Sequence, residues 1–165
     1  VNSVSTKPTV YIETTIIGHL TARLPNDPLV VGQMLATRKW WDEARQRFEL
    51  LTSDIVLNEA SQGDPQAAHE RLAVLNNLTF APVLHDVENL AELLVKRHAL
   101  PLKARVDAFH VAISAVNSIE YLLTWNCKHL ANATMRSKIE QTCQESGYQP
   151  PIICTPYELM EVRDV

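Results

Sequence analysis

The chain has 165 residues, 46% of them hydrophobic and 21% charged, which suits one domain with a sizeable core and leaves too little for two. Its net charge is −4, from 15 basic and 19 acidic residues; this argues against a protein that coats nucleic acid through a basic surface, but not against an enzyme that meets phosphate with bound cations. No apolar run approaches a bilayer-spanning length and residues 1–9 lack the apolar stretch of a signal peptide, so the expected location is the cytoplasm.

Thr9-Val10-Tyr11-Ile12 is a short β-prone run that ends at Glu13, after which Thr14 or Thr15 can cap a helix starting near Ile16. Asp27-Pro28 reads as an N-cap and first helical position, and Val30, Met34, Thr37, Trp41, Ala44 and Phe48 recur as one face of a long amphipathic helix. Trp40 and Trp41 on that helix cannot both face the core. Leu50-Leu51-Thr52 predicts a second strand, and Ser53 or Asp54 caps a helix running to Ser61 and closed by Gly63. Asp64-Pro65 starts another, with Ala68, Leu72 and Leu75 inward. Residues 78–84 predict a strand that Pro82 confines to a sheet edge. Asp86 caps the next helix, with Val87, Leu90, Ala91 and Leu94 inward.

From Lys103 to Val116 the helical pattern is apolar on nearly every side, the mark of a buried helix, and Asn117 is its expected left-handed stop. Tyr121 to Thr124 predicts a strand, Ala133 to Glu145 a polar helix, and Pro151 to Cys154 the last strand, before a terminal turn at Thr155-Pro156. Strands alternate with helices throughout. That order predicts an α/β fold, one domain over residues 1–165 with its core at 8–156, built on a central parallel sheet of four to five short strands with helices on both faces. Such sheets bind ligands beyond the carboxyl ends of their strands.

Several chemistries drop out early. Cys127, Cys143 and Cys154 form no C-x-x-C pair, and the four glycines form neither G-x-G-x-x-G nor a P-loop. No G-x-S-x-G is present either, so a serine or cysteine hydrolase lacks support.

The acidic residues at strand ends and on buried faces are more informative. Glu13 follows the first strand directly; alone, it reads as the first solvated residue of a loop. Glu59 lies on the face that Ile55 and Val56 should bury, which requires either a metal or an inward salt bridge to an Arg. Asp107 and His110 are the two polar members of Val106-Asp107-Ala108-Phe109-His110-Val111-Ala112-Ile113. A buried Asp needs a partner, either an ion or a structural Asp–His or Asp–backbone bond. His110 itself reads as a satisfied core histidine or an orienter of Asp107. Asn126, after the Leu122-Leu123-Thr124-Trp125 run, is a turn residue or a neutral oxygen ligand. Brought together, three carboxylates and an amide form a hard oxygen site suited to Mg²⁺ or Mn²⁺.

Four segments carry a resemblance. They are Val10-Tyr11-Ile12-Glu13-Thr14-Thr15; Thr52-Ser53-Asp54-Ile55-Val56-Leu57-Asn58-Glu59; Asp107-Ala108-Phe109-His110-Val111-Ala112; and Leu123-Thr124-Trp125-Asn126-Cys127-Lys128-His129-Leu130. In this order and spacing, from Pro8 to Pro156, the chain resembles the PIN-domain nucleases, and more closely the VapC-like toxins of bacterial toxin–antitoxin pairs. The resemblance implies a central parallel sheet and an Mg²⁺- or Mn²⁺-dependent ribonuclease site. It implies that Glu13, Glu59 and Asp107 are the catalytic carboxylates, that Glu13, Asp107 and Asn126 belong to the metal set, and that Thr14 supports it. It also implies an RNA substrate and a cognate antitoxin. A homodimer is left open. Two positions depart from the family pattern, since Glu13 and Asn126 stand where Asp is usual. The rival expectation is therefore a PIN-fold module that binds RNA or protein with weak or lost catalysis.

Overall fold

A computed structural model describes residues 7–160. Among them five short strands form one sheet, in the order β3-β2-β1-β4-β5, with every neighbouring pair parallel. The strands are β1 (Thr9–Ile12), β2 (Glu49–Thr52), β3 (Thr79–Phe80), β4 (Tyr121–Leu123) and β5 (Ile152–Cys154). The predicted parallel α/β sheet is the observed one. β3 is shorter than its sequence pattern predicts and lies at the sheet edge, where Pro82 removes a ladder donor.

Seven helices connect them: α1 (Thr14–Thr21), α2 (Pro28–Glu43), α3 (Asp54–Ala60), α4 (Pro65–Leu75), α5 (His85–Lys96), α6 (Arg105–Val116) and α7 (Ala133–Glu145). From β1 the chain steps outward to β2 and β3, then crosses back to β4 and out to β5. Right-handed crossovers place α1–α4 on one face and α5–α7 on the other. The packing agrees, because α1 contacts α2, α3 and α4 while α5 contacts α6 and α7. β1 is therefore the point where the winding reverses, and the carboxyl end of such a strand is where sheets of this kind form their ligand crevice.

Local chemistry explains most boundaries. Asp27, Ser53 and Asp64 each cap a helix by accepting a backbone N–H, and Pro28 and Pro65 occupy first helical turns where no donor is lost. Gly63, at φ +85°, takes the left-handed conformation that turns the chain between α3 and α4. Three predicted ends differ. Glu13, not Thr14 or Thr15, caps α1, since its carboxylate accepts the Thr15 N–H. Leu84 precedes α5 without a side-chain cap, leaving Asp86 inside the first turn. The left-handed residue after α6 is Ser118 rather than Asn117, whose amide instead donates to the carbonyls of Ile113 and Pro82.

The core runs through both layers. Val10, Tyr11 and Ile12 of β1 and Leu122 and Leu123 of β4 are buried, and so is α6 at Ala108 and from His110 to Ala115, while its first turn is exposed at Arg105 and Val106 and half-buried at Asp107. Of the two tryptophans on α2, Trp40 is buried and Trp41 half-buried. The helix ends at Glu43 and a 3-10 turn over residues 45–47 breaks the phase before Phe48. None of the described helices is long and apolar enough to cross a membrane.

Candidate active site

Glu13 sits at the reversal point, directly after β1, and is 3% exposed. Burying a carboxylate this deeply requires donors. Its Oε2 receives three: the Thr15 backbone N–H at 3.0 Å, the Thr15 hydroxyl at 2.5 Å and the Thr124 hydroxyl at 2.8 Å. Each hydroxyl is itself held from behind, Thr15 by the Trp125 N–H and Thr124 by the Asn126 N–H. A hydroxyl oxygen that accepts a backbone N–H is free to aim its own proton at the carboxylate. Glu13 is thus fixed by neutral donors. Its second oxygen, Oε1, lies 3.9 Å from His110 Nε2.

Glu59 reaches the crevice from α3 and His110 from α6, on opposite faces of the sheet. They meet at 3.0 Å between Glu59 Oε2 and His110 Nε2, and the Thr14 hydroxyl donates to the same oxygen at 2.5 Å. A carboxylate only accepts, so His110 Nε2 carries a proton in either charge state. The other ring nitrogen, Nδ1, lies 2.9 Å from the Tyr11 hydroxyl, which pairs in turn with Ser53 Oγ at 2.7 Å. A buried relay from β1 and the start of α3 thereby orients the imidazole that holds Glu59. The salt bridge is to His110 rather than to an Arg.

Asp107 projects from the first turn of α6. Its Oδ1 accepts the Asn126 side-chain N–H at 2.9 Å and its Oδ2 lies 3.3 Å from His129 Nδ1. Asn126 Oδ1 accepts the His129 backbone N–H at 3.1 Å, which closes the turn after β4 around Asp107. His110, three residues along the same helix, serves Glu59 instead.

The charges differ accordingly. Burial pushes the Glu59 carboxyl up, but the hydrogen bond and charge of His110 and the Thr14 hydroxyl outweigh it and leave Glu59 below its ordinary value. Burial opposes charge on His110, yet the Glu59 bond and the charges of Glu13, Glu59 and Asp107 hold the imidazole above its ordinary value. Asp107 is raised, chiefly by burial, with His110 and His129 lowering it and Glu13 and Glu59 raising it further. Burial also raises the Cys143 and Cys154 thiols to about 11 and 12, which removes both as nucleophiles at neutral pH.

Glu13, Glu59 and His110 each offer an atom within 4.8 Å of the others. The nitrogen of His110 is already committed as a donor to Glu59, so the oxygens of Glu13 and Glu59 are the better ligands. Asp107 lies outside that tight trio but near enough to feel both carboxylates. Hard, closely spaced carboxylates fit a divalent cation such as Mg²⁺ or Mn²⁺. Four contributors escaped the sequence reading as individual side chains: Tyr11, Thr15, Thr124 and His129. The signal at Thr15 was its position two residues after Glu13, the spacing of a helix cap.

No family model matches the chain, and no curated protein matches it in sequence. Among solved structures it is similar to Mycobacterium tuberculosis VapC20, described as a sarcin-ricin loop cleaving toxin. The likeness has a TM-score of 0.59 at 18% identity and covers 76% of this chain and 95% of VapC20. The chain has the fold of that toxin, a PIN-like α/β fold.

Proposed function

We propose that the protein is a metal-dependent endoribonuclease, the toxin of a cytoplasmic toxin–antitoxin pair, formed by a single domain over residues 1–165. The observation that carries this reading is the approach of Glu13 and Glu59 at the winding reversal, with Asp107 near enough to feel both charges. The likeness to an RNA-cleaving toxin supports it.

In this reading Glu13, Glu59 and Asp107 hold a Mg²⁺ or Mn²⁺ ion, with Asn126 at the edge of the set. Such an ion, when bound, supplies polarisation of a phosphate oxygen and a lowered pKa for water. The chain's own residues supply the preorganisation. Thr15 and Thr124 fix Glu13 so that Oε1 faces the crevice, Thr14 and His110 fix Glu59, and Asn126 and His129 fix Asp107. Prealigned ligands need no reorganisation when a phosphodiester arrives.

One observation favours a binding module instead. Asp107 has both oxygens engaged by side chains of the β4 turn, and Glu59 is paired with His110. A network satisfied this fully can exist for stability alone. Single-stranded RNA incubated with the parent protein and Glu13→Gln, in chelator and in Mn²⁺, separates the two. The nuclease reading expects cleavage by the parent in Mn²⁺ only. RNA bound but left intact in every condition would favour the binding module.

A further inference from the structure

Beyond the carboxylates, an aromatic cluster is built around Trp125. Trp125 lies between Thr124 and Asn126, whose side chains bond Glu13 and Asp107. The indole is fixed at both ends: its backbone N–H donates to Thr15 Oγ1 at 2.8 Å, and its ring Nε1–H donates to Thr37 Oγ1 on α2 at 2.7 Å. His19 of α1 stacks on it, with centroids 6.2 Å apart and planes 18° from parallel. Tyr157, just after β5, meets it edge-on at 5.4 Å and 85°. The Tyr157 hydroxyl reaches the Gly32 carbonyl of α2 at 3.4 Å, where a Cβ on Gly32 would lie 3.8 Å from the same oxygen. His19 is held in turn by Gln33 at 3.2 Å.

Trp125 is almost wholly covered, yet Tyr157 on top of it is 60% exposed. Its edge contact with Trp125 and its hydroxyl contact with Gly32 hold the ring in place while leaving much of it open to solvent. Tyr157 follows β5 by three residues, and β5 lies two strands from β1 at this carboxyl edge of the sheet. At the usual strand spacing β1 and β5 lie about 10 Å apart, the reach of one nucleotide step from a phosphate held at Glu13 toward the edge where Tyr157 stands.

We propose that Tyr157, backed by Trp125 and His19, is a stacking platform for an unpaired base of the RNA next to the scissile phosphate. The proposal rests on the nuclease reading and adds to it a residue that binds a base rather than the phosphate. Recognition of single strands relies on aromatic faces, and stacking tolerates the identity of the base. An acidic protein, which gains little from phosphate contacts, depends more on such a platform.

The test is binding of a labelled single-stranded RNA oligonucleotide to the full chain in chelator, where cleavage does not interfere, alongside cleavage kinetics in Mn²⁺. Stacking by one ring predicts that Tyr157→Ala weakens binding roughly 5- to 100-fold and raises KM with kcat little changed. Tyr157→Phe keeps parental affinity. Phe80→Ala, at the far edge of the sheet, does likewise. On an oligonucleotide series with one abasic position moved along the strand, the loss from Tyr157→Ala vanishes at one position. Unchanged binding and KM in Tyr157→Ala, with the parent still cleaving RNA, would overturn the platform while leaving the nuclease standing. The same holds if Tyr157→Ala only dissociates a dimer, or if no abasic position abolishes its effect. A parent that neither binds nor cleaves RNA would overturn both.

Discussion

The two walls of the crevice hold their carboxylates by different means. On the sheet side, Glu13 is buried and takes all three of its hydrogen bonds on one oxygen, from a backbone N–H and two threonine hydroxyls. On the helix side, Glu59 and Asp107 are only partly covered, and each leans on an imidazole, His110 or His129. Neutral donors fix a position without cancelling charge, whereas imidazoles offset charge and respond to pH. The sheet wall therefore fixes its carboxylate in place without a charged partner, and the helix wall tempers the repulsion that three carboxylates impose on a metal-free site. That division accounts for the opposite directions of Glu59 and Asp107. Glu59 has the shorter imidazole contact and a threonine donor besides, while for Asp107 burial prevails.

The largest expected effect breaks the sheet wall. Glu13→Gln removes the anion while leaving an amide oxygen for the threonines, and should cost several kcal/mol of transition-state stabilisation, about 10³-fold or more in RNA cleavage. Asp107→Asn should likewise abolish cleavage at any metal concentration. The check is kcat/KM on single-stranded RNA, with circular dichroism confirming that each variant is folded.

Asn126→Asp sharpens the comparison by adding charge where the helix wall meets β4. One further ligand charge in a partly buried site is worth on the order of 1–3 kcal/mol, or roughly one to two decades in metal affinity. The substitution also exchanges the donor that now serves Asp107 at 2.9 Å for a second acceptor. The metal-free protein should thus melt lower and the Mn²⁺-loaded protein higher, which widens the gap between the two melting curves. A gap that narrows would place residue 126 outside the metal's reach.

His110→Leu tests the imidazole support. It takes one partner from the Glu59 carboxylate, which keeps Thr14, and one from the buried Tyr11 hydroxyl, which keeps Ser53; losing such partners costs about 1–3 kcal/mol, a fall in Tm on the order of 5 °C. The pH dependence carries a sign. Because the folded value of His110 is raised, its contribution is fully present below the ordinary histidine value of about 6.5 and is lost as pH rises through the folded value. Metal-free parent should lose stability as pH rises above that ordinary value, and His110→Leu should show less of that slope. Melting curves from pH 5.5 to 9 in chelator report both.

The smallest effect concerns Asp107 without metal. Its raised value means that its ionised form opposes folding at neutral pH, a penalty lifted as pH falls through the folded value. Asp107→Asn should raise the metal-free Tm by roughly a degree or two at pH 7.5, with the gain vanishing near pH 4. A clearly lower Tm at pH 7.5 would make Asp107 chiefly a structural partner of Asn126 and His129.

The sheet wall was more legible than the helix wall. Alternation of apolar strands with helical periods marked every strand, and Asp27-Pro28 and Asp64-Pro65 marked two helix starts, because caps and proline act locally. Glu13, Glu59 and Asp107 stood out by position: one at a strand end, two on faces that should be buried. The pairings did not. Three-residue spacing put Asp107 and His110 on one side of α6, but Tyr11, 99 positions away in the chain, turns the His110 ring toward Glu59. Thr124 and His129 were ordinary polar residues in sequence and gained meaning only when β4 was placed beside β1.

The most direct test of the central claim is a Mn²⁺ titration of single-stranded RNA cleavage, run in parallel with calorimetric Mn²⁺ binding, on the parent protein and Asp107→Asn. The account predicts saturable cleavage by the parent that tracks its binding isotherm, with both lost in the variant. No cleavage of any RNA offered, together with no divalent binding that Asp107→Asn removes, would contradict it.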